Sequence, residues 1–514
     1  MSRSRASRKA VSRPVPKTPT GIQGLDEITG GGLPLGRPTL VCGGPGCGKT
    51  VLALQFLVNG VRTYREPGVF MSFEESIDDL SANLASMGLD PRPLVARRKL
   101  ALEYVRMEPS EIQETGAYDL DALFIRLNEA IESVGARRVV LDTIETLFSG
   151  LSDTRTLRAE LRRLFMWLKS RGVTAIVTGE RGGEDGITRH GLEEYISDCV
   201  IILDHRVVEQ NATRRLRVVK YRGSPHDSSE SPFFIDDAGV AVLPITSLGL
   251  QHKVSSTRQS SGIPQLDEML GGRGGGFFKG SSILVSGTAG SGKTSVAAYF
   301  AEAACRRGES ALYFAFEESP AQIERNLRSI GLNLAPWVRK GLLQILATRT
   351  TTSGLEGHLN AMHRAIELAR PRVVVVDPIS NLISVGTSVE VKAMLARLID
   401  FMKVRNTTAL FTSLTFDKGH PEGTDVGISS FMDTWVLLRH VELNGERNRV
   451  IDVLKSRGMA HSNQAREFVL TGRGLVLVDA VRDDRGRVLM GARRAAHDVR
   501  SAPRKRARAR RVAR

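Results

Sequence analysis

The stretch Gly43-Gly44-Pro45-Gly46-Cys47-Gly48-Lys49-Thr50 recurs 244 residues later as Gly287-Thr288-Ala289-Gly290-Ser291-Gly292-Lys293-Thr294. Both stretches match the phosphate-binding loop G-x-x-x-x-G-K-[ST]. Each follows an apolar, strand-like segment and precedes an apolar helical pattern, which is the strand–loop–helix order that this loop requires. The sequence therefore predicts a nucleotide-binding unit that has been duplicated within one chain.

The residue types inside each loop suggest how it would hold a nucleoside triphosphate. Backbone amides of the loop and of the helix N-terminus surround the phosphates. The lysines would reach the β- and γ-phosphates, and Thr50 and Thr294 would ligate Mg²⁺. The predicted ATP contacts are Gly46, Cys47, Gly48, Lys49 and Thr50 in the first copy and Gly290, Ser291, Gly292, Lys293 and Thr294 in the second.

A second predicted strand ends in two carboxylates in each copy, Glu74-Glu75 and Glu317-Glu318, and a serine follows both pairs. Paired carboxylates beside bound phosphates suit a general base and a metal partner. The alternative is a pair of helix N-terminal acids that the helix dipole favours. Because the pair recurs at nearly the same offset from the phosphate loop, all four residues are predicted to be catalytic, and Glu317 is also a candidate metal partner.

A third predicted strand is a continuous apolar run that ends in an aspartate, Arg138 to Asp142 in the first copy and Arg372 to Asp377 in the second. Such runs are typical of the buried central strands of a parallel sheet. Asp142 and Asp377 are therefore predicted to help position Mg²⁺, in part through water.

A basic motif recurs near the end of each copy, as Lys220-Tyr221-Arg222-Gly223 and as Lys455-Ser456-Arg457-Gly458. A Lys-x-Arg pair is often only the solvated face of an edge strand. It can also be an arginine-finger element that reaches the γ-phosphate held by a neighbouring subunit. The repetition favours the second interpretation.

The net charge of +16 is concentrated at the two ends of the 514-residue chain. Residues 1–18 hold six basic and no acidic residues, and residues 493–514 hold ten basic residues against Asp498, so the ends carry 15 of the 16 charges. Basic ends can bind phosphate backbones or can simply be solvated disordered segments. The nearly neutral body does not support a nucleic-acid channel, so nucleic acid is a possible partner only through the tails.

The repeat also predicts the domain organisation. No apolar run is long enough to cross a bilayer, the basic N-terminus lacks the apolar segment of a signal peptide, and the four cysteines have no metal-ligand spacing, so a cytoplasmic protein with reduced thiols and no membrane partner is expected. The predicted segments are basic disordered tails at 1–17 and 491–514, domains at 18–246 and 261–490, and a linker at 247–260.

With these motifs, residues 18–490 resemble the KaiC family, the circadian-clock autokinase ATPases and their non-clock homologues, within the RecA-like class. The resemblance implies an α/β fold of two tandem RecA-like P-loop NTPase domains, each a mostly parallel twisted sheet flanked by helices. It also implies a double-ring homohexamer with ATP at the subunit interfaces, where Lys220, Arg222, Lys455 and Arg457 act on a neighbour's nucleotide. Ser224, His226 and His461 fall where the family contacts nucleotide.

The copies differ most just before their last parallel strand. The first copy has Glu193-Glu194 where the second has Ser429-Ser430, and the resemblance places the family's adjacent phosphoacceptors in the second copy here. The alternative is a local turn with hydroxyl caps. Ser429 and Ser430 are predicted to be autophosphorylated, with Glu317 accepting the hydroxyl proton and Glu318 supporting the metal or orienting Glu317. The first copy is predicted to hydrolyse ATP, with Glu74 or Glu75 aligning the water.

The rival interpretation is a nucleic-acid-dependent ATPase of the RecA-like class, such as a recombinase or helicase relative. The basic tails favour it, whereas the neutral body, the acceptor serines and an aromatic content of only 5% oppose it. A non-catalytic ATP-gated scaffold is a third interpretation, which the intact Lys and Glu sets oppose. The segment through which the clock protein recruits its activating partner is not recognisable after residue 478, so a non-clock signalling switch with partner signalling proteins is favoured.

Overall fold

The computed structural model describes most of the chain between residues 15 and 494. The chain divides into two compact units, residues 1–247 and 248–514. The described residues are 15–105, 120–148, 154–182, 196–208, 211–237, 239–244, 254–272, 274–415, 427–443, 445–472, 474–479, 481–482, 488–491 and 494.

The first unit contains one large sheet and a small strand pair. Its strands are β1 Lys17–Thr18, β2 Leu33–Pro34, β3 Pro38–Gly43, β4 Gly68–Ser72, β5 Leu100–Tyr104, β6 Arg138–Asp142, β7 Thr174–Glu180, β8 Cys199–Val208, β9 Asn211–Tyr221, β10 Ser231–Asp236 and β11 Gly239–Val242.

The second unit repeats this pattern and adds a short pair at its end. Its strands are β12 Arg258–Gln259, β13 Phe277–Phe278, β14 Ser282–Gly287, β15 Ala311–Ala315, β16 Leu343–Ala347, β17 Val373–Asp377, β18 Thr408–Leu414, β19 Thr434–Leu443, β20 Glu446–Ser456, β21 Arg466–Thr471, β22 Gly474–Asp479, β23 Val481–Arg482 and β24 Val488–Leu489.

The two large sheets have the same topology. In the described parts of the chain, the strand order is β5-β4-β6-β7-β3-β8-β9-β10-β11 in the first and β16-β15-β17-β18-β14-β19-β20-β21-β22 in the second. The first six strands of each order run parallel, and the last three are joined by antiparallel pairing. The predicted fold of two tandem, mostly parallel sheets is confirmed.

Helices cover both faces of each sheet, so successive strand residues pack into different cores. Val41 joins the cluster that includes the helix after the phosphate loop, whereas Leu40 and Cys42 join the cluster on the opposite face. Burial on both faces explains why the central strands are continuous apolar runs.

The helices of the first unit are Leu25–Ile28, Lys49–Tyr64, Ile77–Ala85, Arg92–Ala96, Asp121–Val134, Ile144–Leu147 and Thr154–Ser170. Those of the second are Pro264–Met269, Lys293–Arg306, Pro320–Arg328, Ala335–Arg339, Leu355–Ala369 and Ser388–Val404, with 3₁₀ turns at Thr350–Thr352 and Ile379–Val385. Within the described ranges, no helix combines the length and apolar character needed to cross a bilayer.

Candidate active sites

Each phosphate loop lies at the carboxyl end of a central strand, β3 or β14, and leads directly into a helix that begins at Lys49 or Lys293. Gly48 and Gly292 precede these helices with φ angles of 100° and 104°. A Cβ at Gly48 would come 2.4 Å from the Ile235 side chain, and one at Gly292 would come 2.6 Å from the Phe468 ring. Both the backbone conformation and the close neighbours therefore require glycine at this place in the motif.

The loop lysines point back into their own loops. The Lys49 ammonium donates hydrogen bonds to the carbonyls of Gly43 at 2.7 Å and Gly44 at 3.2 Å. The Lys293 ammonium does the same to Gly287 and Thr288, at 2.9 Å each. Each loop thus holds a lysine ammonium against two of its own carbonyls at the start of a helix, where a cation and helix N-terminal amides together suit polyphosphate binding.

The first loop opens into a cavity of about 420 Å³. Beside the loop residues, its walls include Met87, Arg214 and Ile235. Arg214 was not singled out in the sequence, and its Nε lies buried above the loop. Its counterpart Arg449, at the matching register on β20, donates to the Gly290 carbonyl at 3.2 Å. Each loop therefore has a second cation, supplied by an antiparallel strand.

In the first unit, Asp142 is linked to the phosphate loop. The Thr50 hydroxyl donates to Asp142 Oδ2 at 2.8 Å, and the Thr178 hydroxyl donates to Asp142 Oδ1. Burial raises the pKa of Asp142 above its ordinary value, and the hydrogen bonds from Thr178 and Thr50 oppose that shift. The structure thus brings together Thr50 and Asp142, two of the residues predicted to serve Mg²⁺.

In the second unit, the same carboxylate has a different partner. Asp377 Oδ1 accepts from Thr412, the counterpart of Thr178, but Oδ2 accepts from the buried Tyr313 hydroxyl at 2.6 Å. Thr294 is not among the hydrogen-bond donors of Asp377 in the part of the chain that the structure describes. Burial raises the pKa of Tyr313, so this phenol is a donor at neutral pH.

The donor set at both loops fits Mg²⁺. A threonine hydroxyl and an aspartate carboxylate are hard oxygen ligands, and Mg²⁺ commonly takes few protein ligands beside substrate phosphates and water. Among the described residues, no group of three or more His, Cys, Asp and Glu side chains is placed to hold a metal by itself. The residues therefore suit a magnesium ion that arrives with a nucleotide.

The first glutamate of each predicted pair is exposed, but only one is tethered. Glu74 Oε1 accepts from the Thr143 hydroxyl at 2.8 Å and from the Thr146 hydroxyl at 2.5 Å. In the second unit Pro378 and Asn381 occupy the places of these threonines. Glu317 has no side-chain hydrogen bond among the described residues.

The second glutamate of each pair belongs to the start of the next helix. Glu75 accepts from Asn83 at 2.6 Å, and Glu318 accepts from Asn326 at 2.9 Å. The serine that follows each pair is the N-cap of this helix. The two glutamates of each pair therefore have different surroundings. The second one accepts a hydrogen bond from an asparagine of the helix that follows it, whereas, among the described residues, the first one does not.

The Lys-x-Arg motifs lie at the opposite edge of the sheet from the phosphate loop of the same unit. Lys220 pairs with Val200 at the amino end of β8, and Lys455 pairs with Trp435 at the amino end of β19. Both of these strands run parallel to the phosphate-loop strand beside them. The motifs are thus separated from their own loops by the length of a strand.

The predicted acceptor serines lie beside the second motif. The Lys455 ammonium donates to the Ser429 carbonyl at 3.0 Å, and Arg457 Nη2 donates to the Ser430 carbonyl at 2.6 Å. Ser430 is exposed and Ser429 is half-buried. Burial, followed by the charge of Arg457, lowers the pKa of Lys455.

Short contacts hold the acceptor segment at this edge. The first residue of β14, Ser282, donates from its amide to the Asp433 carboxylate at 2.9 Å, and its hydroxyl donates to the Phe431 carbonyl at 3.3 Å. Lys403 forms a 2.9 Å ion pair with Asp433. The serines therefore precede an anchored stretch at the amino end of the phosphate-loop strand.

The residues carried over from the family's nucleotide contacts lie at the same edges. His226 stacks on Tyr221, with ring centroids 6.3 Å apart, and lines a cavity of about 320 Å³. The Ser224 hydroxyl donates to the Pro225 carbonyl at 3.0 Å. His461 is exposed on the loop after β20. None of them adjoins the phosphate loop of its own unit in the described structure.

Some predictions fall outside the described residues. These are the glutamates at 193 and 194, residues 1–14 of the first tail, residues 247–253 of the linker, and all of the second tail except residues 491 and 494.

Comparisons with known proteins agree on one family. A family model described as an ATPase, KaiC, matches residues 18–247 and 259–481. The chain is 56% identical over 483 residues to the "Circadian clock protein KaiC2" of Synechocystis sp., covering 93% of this chain and 84% of that protein. It is 39% identical to the "Circadian clock oscillator protein KaiC" of Synechococcus elongatus, over 91% of this chain and 90% of that protein. The protein of that name in Thermosynechococcus vestitus is also 39% identical, over 92% and 91%.

Proposed function

This chain belongs to the KaiC family of ATPases, and from that premise we propose that its two domains use ATP differently. The first hydrolyses ATP, and the second transfers the γ-phosphate to Ser429 or Ser430. The observation that carries the proposal is the pair of hydrogen bonds from Lys455 and Arg457 to the backbone carbonyls of these serines. The two basic side chains and the two serines therefore lie together at one edge of the second domain.

The acceptors serve a neighbour's nucleotide rather than their own. They adjoin the amino end of β14, whereas their own phosphate loop follows its carboxyl end. The six residues of β14 place these ends about 17 Å apart, at roughly 3.3 Å per residue. A hydroxyl cannot attack a γ-phosphate across that distance, so transfer requires a second copy of the chain. A ring that brings one subunit's acceptor edge to the next subunit's phosphate loop, as in the proposed ATP-dependent homohexamer, meets this requirement.

In the proposed transfer, the serine Oγ forms a bond to the γ-phosphorus while the bond between that phosphorus and the ADP oxygen breaks. Glu317 of the nucleotide-holding subunit accepts the serine proton, and ADP leaves. Lys293 of the nucleotide-holding subunit stabilises the charge on the β- and γ-phosphates. Lys455 and Arg457 of the acceptor subunit stabilise the charge on the transferred group. Mg²⁺ held at Thr294 and Asp377 would neutralise charge on the phosphates.

In the first domain, water takes the place of the alcohol. Glu74 is the residue that aligns it, because this glutamate is exposed beside Asp142 and oriented by two threonines. Glu75 is excluded from that role by its bond to Asn83. Lys220 and Arg222 of a neighbour complete the site, as Lys455 and Arg457 do in the second domain.

A phosphorylated serine would carry nearly two negative charges at a subunit boundary and would change its packing energy. The protein is thus proposed to act as a cytoplasmic signalling switch that reports its phosphorylation state to partner proteins. The nucleic-acid-dependent alternative rests on the basic tails, which lie almost wholly outside the described residues, and no contact of the described residues favours it.

Phosphosite mapping tests the proposal. Incubation with γ-labelled ATP should label Ser429 or Ser430, and the doubly substituted Ser429→Ala, Ser430→Ala chain should lose the label. Ser329→Ala is a matched control, because Ser329 is also exposed but ends the helix Pro320–Arg328. Undiminished labelling of the double variant would remove the acceptor assignment.

Mixed assemblies test transfer between subunits. A chain with Lys293→Ala keeps its serines but loses the loop lysine, and the double serine variant keeps the lysine but loses the acceptors. Neither should be labelled alone. When subunits are mixed and distinguished by a size tag, the label should appear on the Lys293→Ala chain. Its absence there, with normal labelling of wild type, would contradict transfer between subunits.

A further inference from the structure

A buried tyrosine distinguishes the second metal site from the first. Tyr313 on β15 is fully buried, and its hydroxyl donates to Asp377 Oδ2 at 2.6 Å. The corresponding residue on β4 is Phe70, which is equally buried. The correspondence follows from register, because Tyr313 pairs with Val375 two residues before Asp377 and Phe70 pairs with Val140 two residues before Asp142.

The tyrosine takes the carboxylate oxygen that the phosphate-loop threonine takes in the first unit. Thr50 donates to Asp142 Oδ2, and the other oxygen accepts from Thr178. In the second unit, Asp377 Oδ1 likewise accepts from a threonine, Thr412, but Oδ2 accepts from Tyr313. The two sites have corresponding strands and the same acid, and they differ in which hydroxyl donates to Oδ2 of that acid.

We propose that Tyr313 is a positioning residue that weakens magnesium binding at the second site, relative to the first, by holding Asp377 away from Thr294. This inference rests on the proposed function, because it concerns the metal that accompanies ATP. A buried hydrogen bond to a charged group is stronger than a neutral one. It both fixes the carboxylate and withdraws charge from the oxygen that would support Thr294 and the metal's water.

The consequence is a difference in the metal requirement of two reactions in one chain. Loss of an outer-shell hydrogen-bond partner commonly costs about 10- to 100-fold in metal affinity. Tyr313 is proposed to act with a similar magnitude but the opposite sign, because it occupies the carboxylate oxygen that the loop threonine engages in the first unit. Hydrolysis in the first domain would proceed at a magnesium concentration at which the second site is only partly occupied. Autophosphorylation would then respond to free Mg²⁺ over a range in which hydrolysis does not.

Reciprocal substitutions test this. Mn²⁺ binding to the full-length chain loaded with ADP is measured by electron paramagnetic resonance of the free ion, for wild type, Tyr313→Phe and Phe70→Tyr. Wild type should show a tighter and a weaker class of Mn²⁺ site. Tyr313→Phe should tighten the weaker class by about tenfold, and Phe70→Tyr should weaken the tighter class by a similar factor. Both changes add or remove one oxygen, and thermal unfolding of each variant reports whether the fold is kept.

The outcomes separate this inference from the proposed function. Unchanged Mn²⁺ midpoints in Tyr313→Phe, or a weaker second class, would overturn the role of Tyr313 while leaving ATP chemistry in place. If Tyr313→Phe does not fold, Phe70→Tyr decides alone, and an unchanged tight class then overturns the inference. An absence of ADP-dependent Mn²⁺ binding in wild type would instead remove the proposed metal–nucleotide sites themselves.

Discussion

The same glutamate is restrained in the first unit and unrestrained in the second. Glu74 accepts hydrogen bonds from Thr143 and Thr146, whereas Glu317 follows the corresponding strand of the second unit, where a proline and an asparagine replace these threonines. A tethered carboxylate suits the alignment of a small, mobile water. An untethered one can adjust to a serine that a neighbouring subunit delivers. Two reactions can thus be obtained from one backbone by changing the residues around the base.

The basic motifs offer the largest expected difference between the units. Arg457→Ala should lower phosphate incorporation by about 10³-fold, because an arginine supplied by a neighbour is typically worth 10³–10⁵ in phosphoryl transfer. Arg222→Ala should reduce ATP hydrolysis and leave labelling of the second domain nearly intact. Single-turnover labelling and steady-state phosphate release measure the two rates separately.

Since Arg457 also binds the Ser430 carbonyl, Arg457→Lys is the informative control. A lysine keeps the charge but not the planar fork, so it should recover only part of the labelling. Equal losses of labelling in Arg222→Ala and Arg457→Ala would show that the motifs do not serve separate sites.

The glutamates should differ next. Glu317→Gln should reduce labelling by about 10²-fold or more, within the range of a general base, and leave ATP affinity nearly unchanged because no phosphate contact is lost. Glu74→Gln should reduce hydrolysis and spare labelling. Binding of a fluorescent ATP analogue, measured beside both rates, separates a catalytic defect from a binding defect. Labelling that survives in Glu317→Gln would assign the base to another residue.

Acid should weaken the second unit through a buried histidine whose counterpart in the first unit is not a histidine. His363 stacks on Phe401 with ring centroids 3.8 Å apart, and burial, followed by Arg405 and Arg397, lowers its pKa to about 4 from 6.5. The unfolded chain therefore binds this proton more readily than the folded chain. The free energy of unfolding should fall as pH falls below about 6.5, and should continue to fall until about pH 4, with a loss of about 2 kcal/mol already at pH 5.

Urea unfolding at pH 7 and pH 5 checks this for wild type and His363→Phe. The substitution should reduce the acid-induced fall in the free energy of unfolding by about 2 kcal/mol, because the carboxylates of the protein contribute equally in both chains. The counterpart in the first unit, counted back from Asp142 and Asp377, is the half-buried Asn128, so Asn128→Phe serves as the matched control. An identical pH dependence in wild type and His363→Phe would refute the assignment.

The sequence was sufficient for the parts of the fold in which burial leaves a continuous apolar signal. The strands that end in Asp142 and Asp377, and both phosphate loops, were predicted because motif and apolar run coincide. The strand β8 runs from Cys199 to Val208, although only its first half is an apolar run. Asp204, His205 and Arg206 lie on it with little burial, so pairing with β9 holds them extended without an apolar pattern to indicate it.

The side-chain partners of the site were not accessible to the same reasoning. The bond from Tyr313 to Asp377 joins residues 64 positions apart, and those from Thr143 and Thr146 to Glu74 join residues 69 and 72 apart. Each depends on which strands are neighbours and on their register, which no local pattern encodes. The one signal for the tyrosine in the sequence is the comparison of the two repeats, because the second repeat has Tyr313 where the first has Phe70.

The smallest expected effect tests the tether on Glu74 directly. Thr143→Val together with Thr146→Val removes both hydroxyl donors at nearly constant volume. ATP hydrolysis in the first domain should fall about fivefold to tenfold in kcat, because the carboxylate then samples orientations that do not align water, and the KM for ATP should not change. Labelling of the second domain should be unaffected.

In the reverse direction, Asn381→Thr places one hydroxyl beside Glu317 and should slow labelling by a smaller factor, since one donor restrains less than two. If removal of the threonines speeds hydrolysis instead, their hydroxyls restrain a carboxylate that works better when it can move. The tether would then lower the activity of the first unit, and it would not explain why one unit uses water and the other a serine.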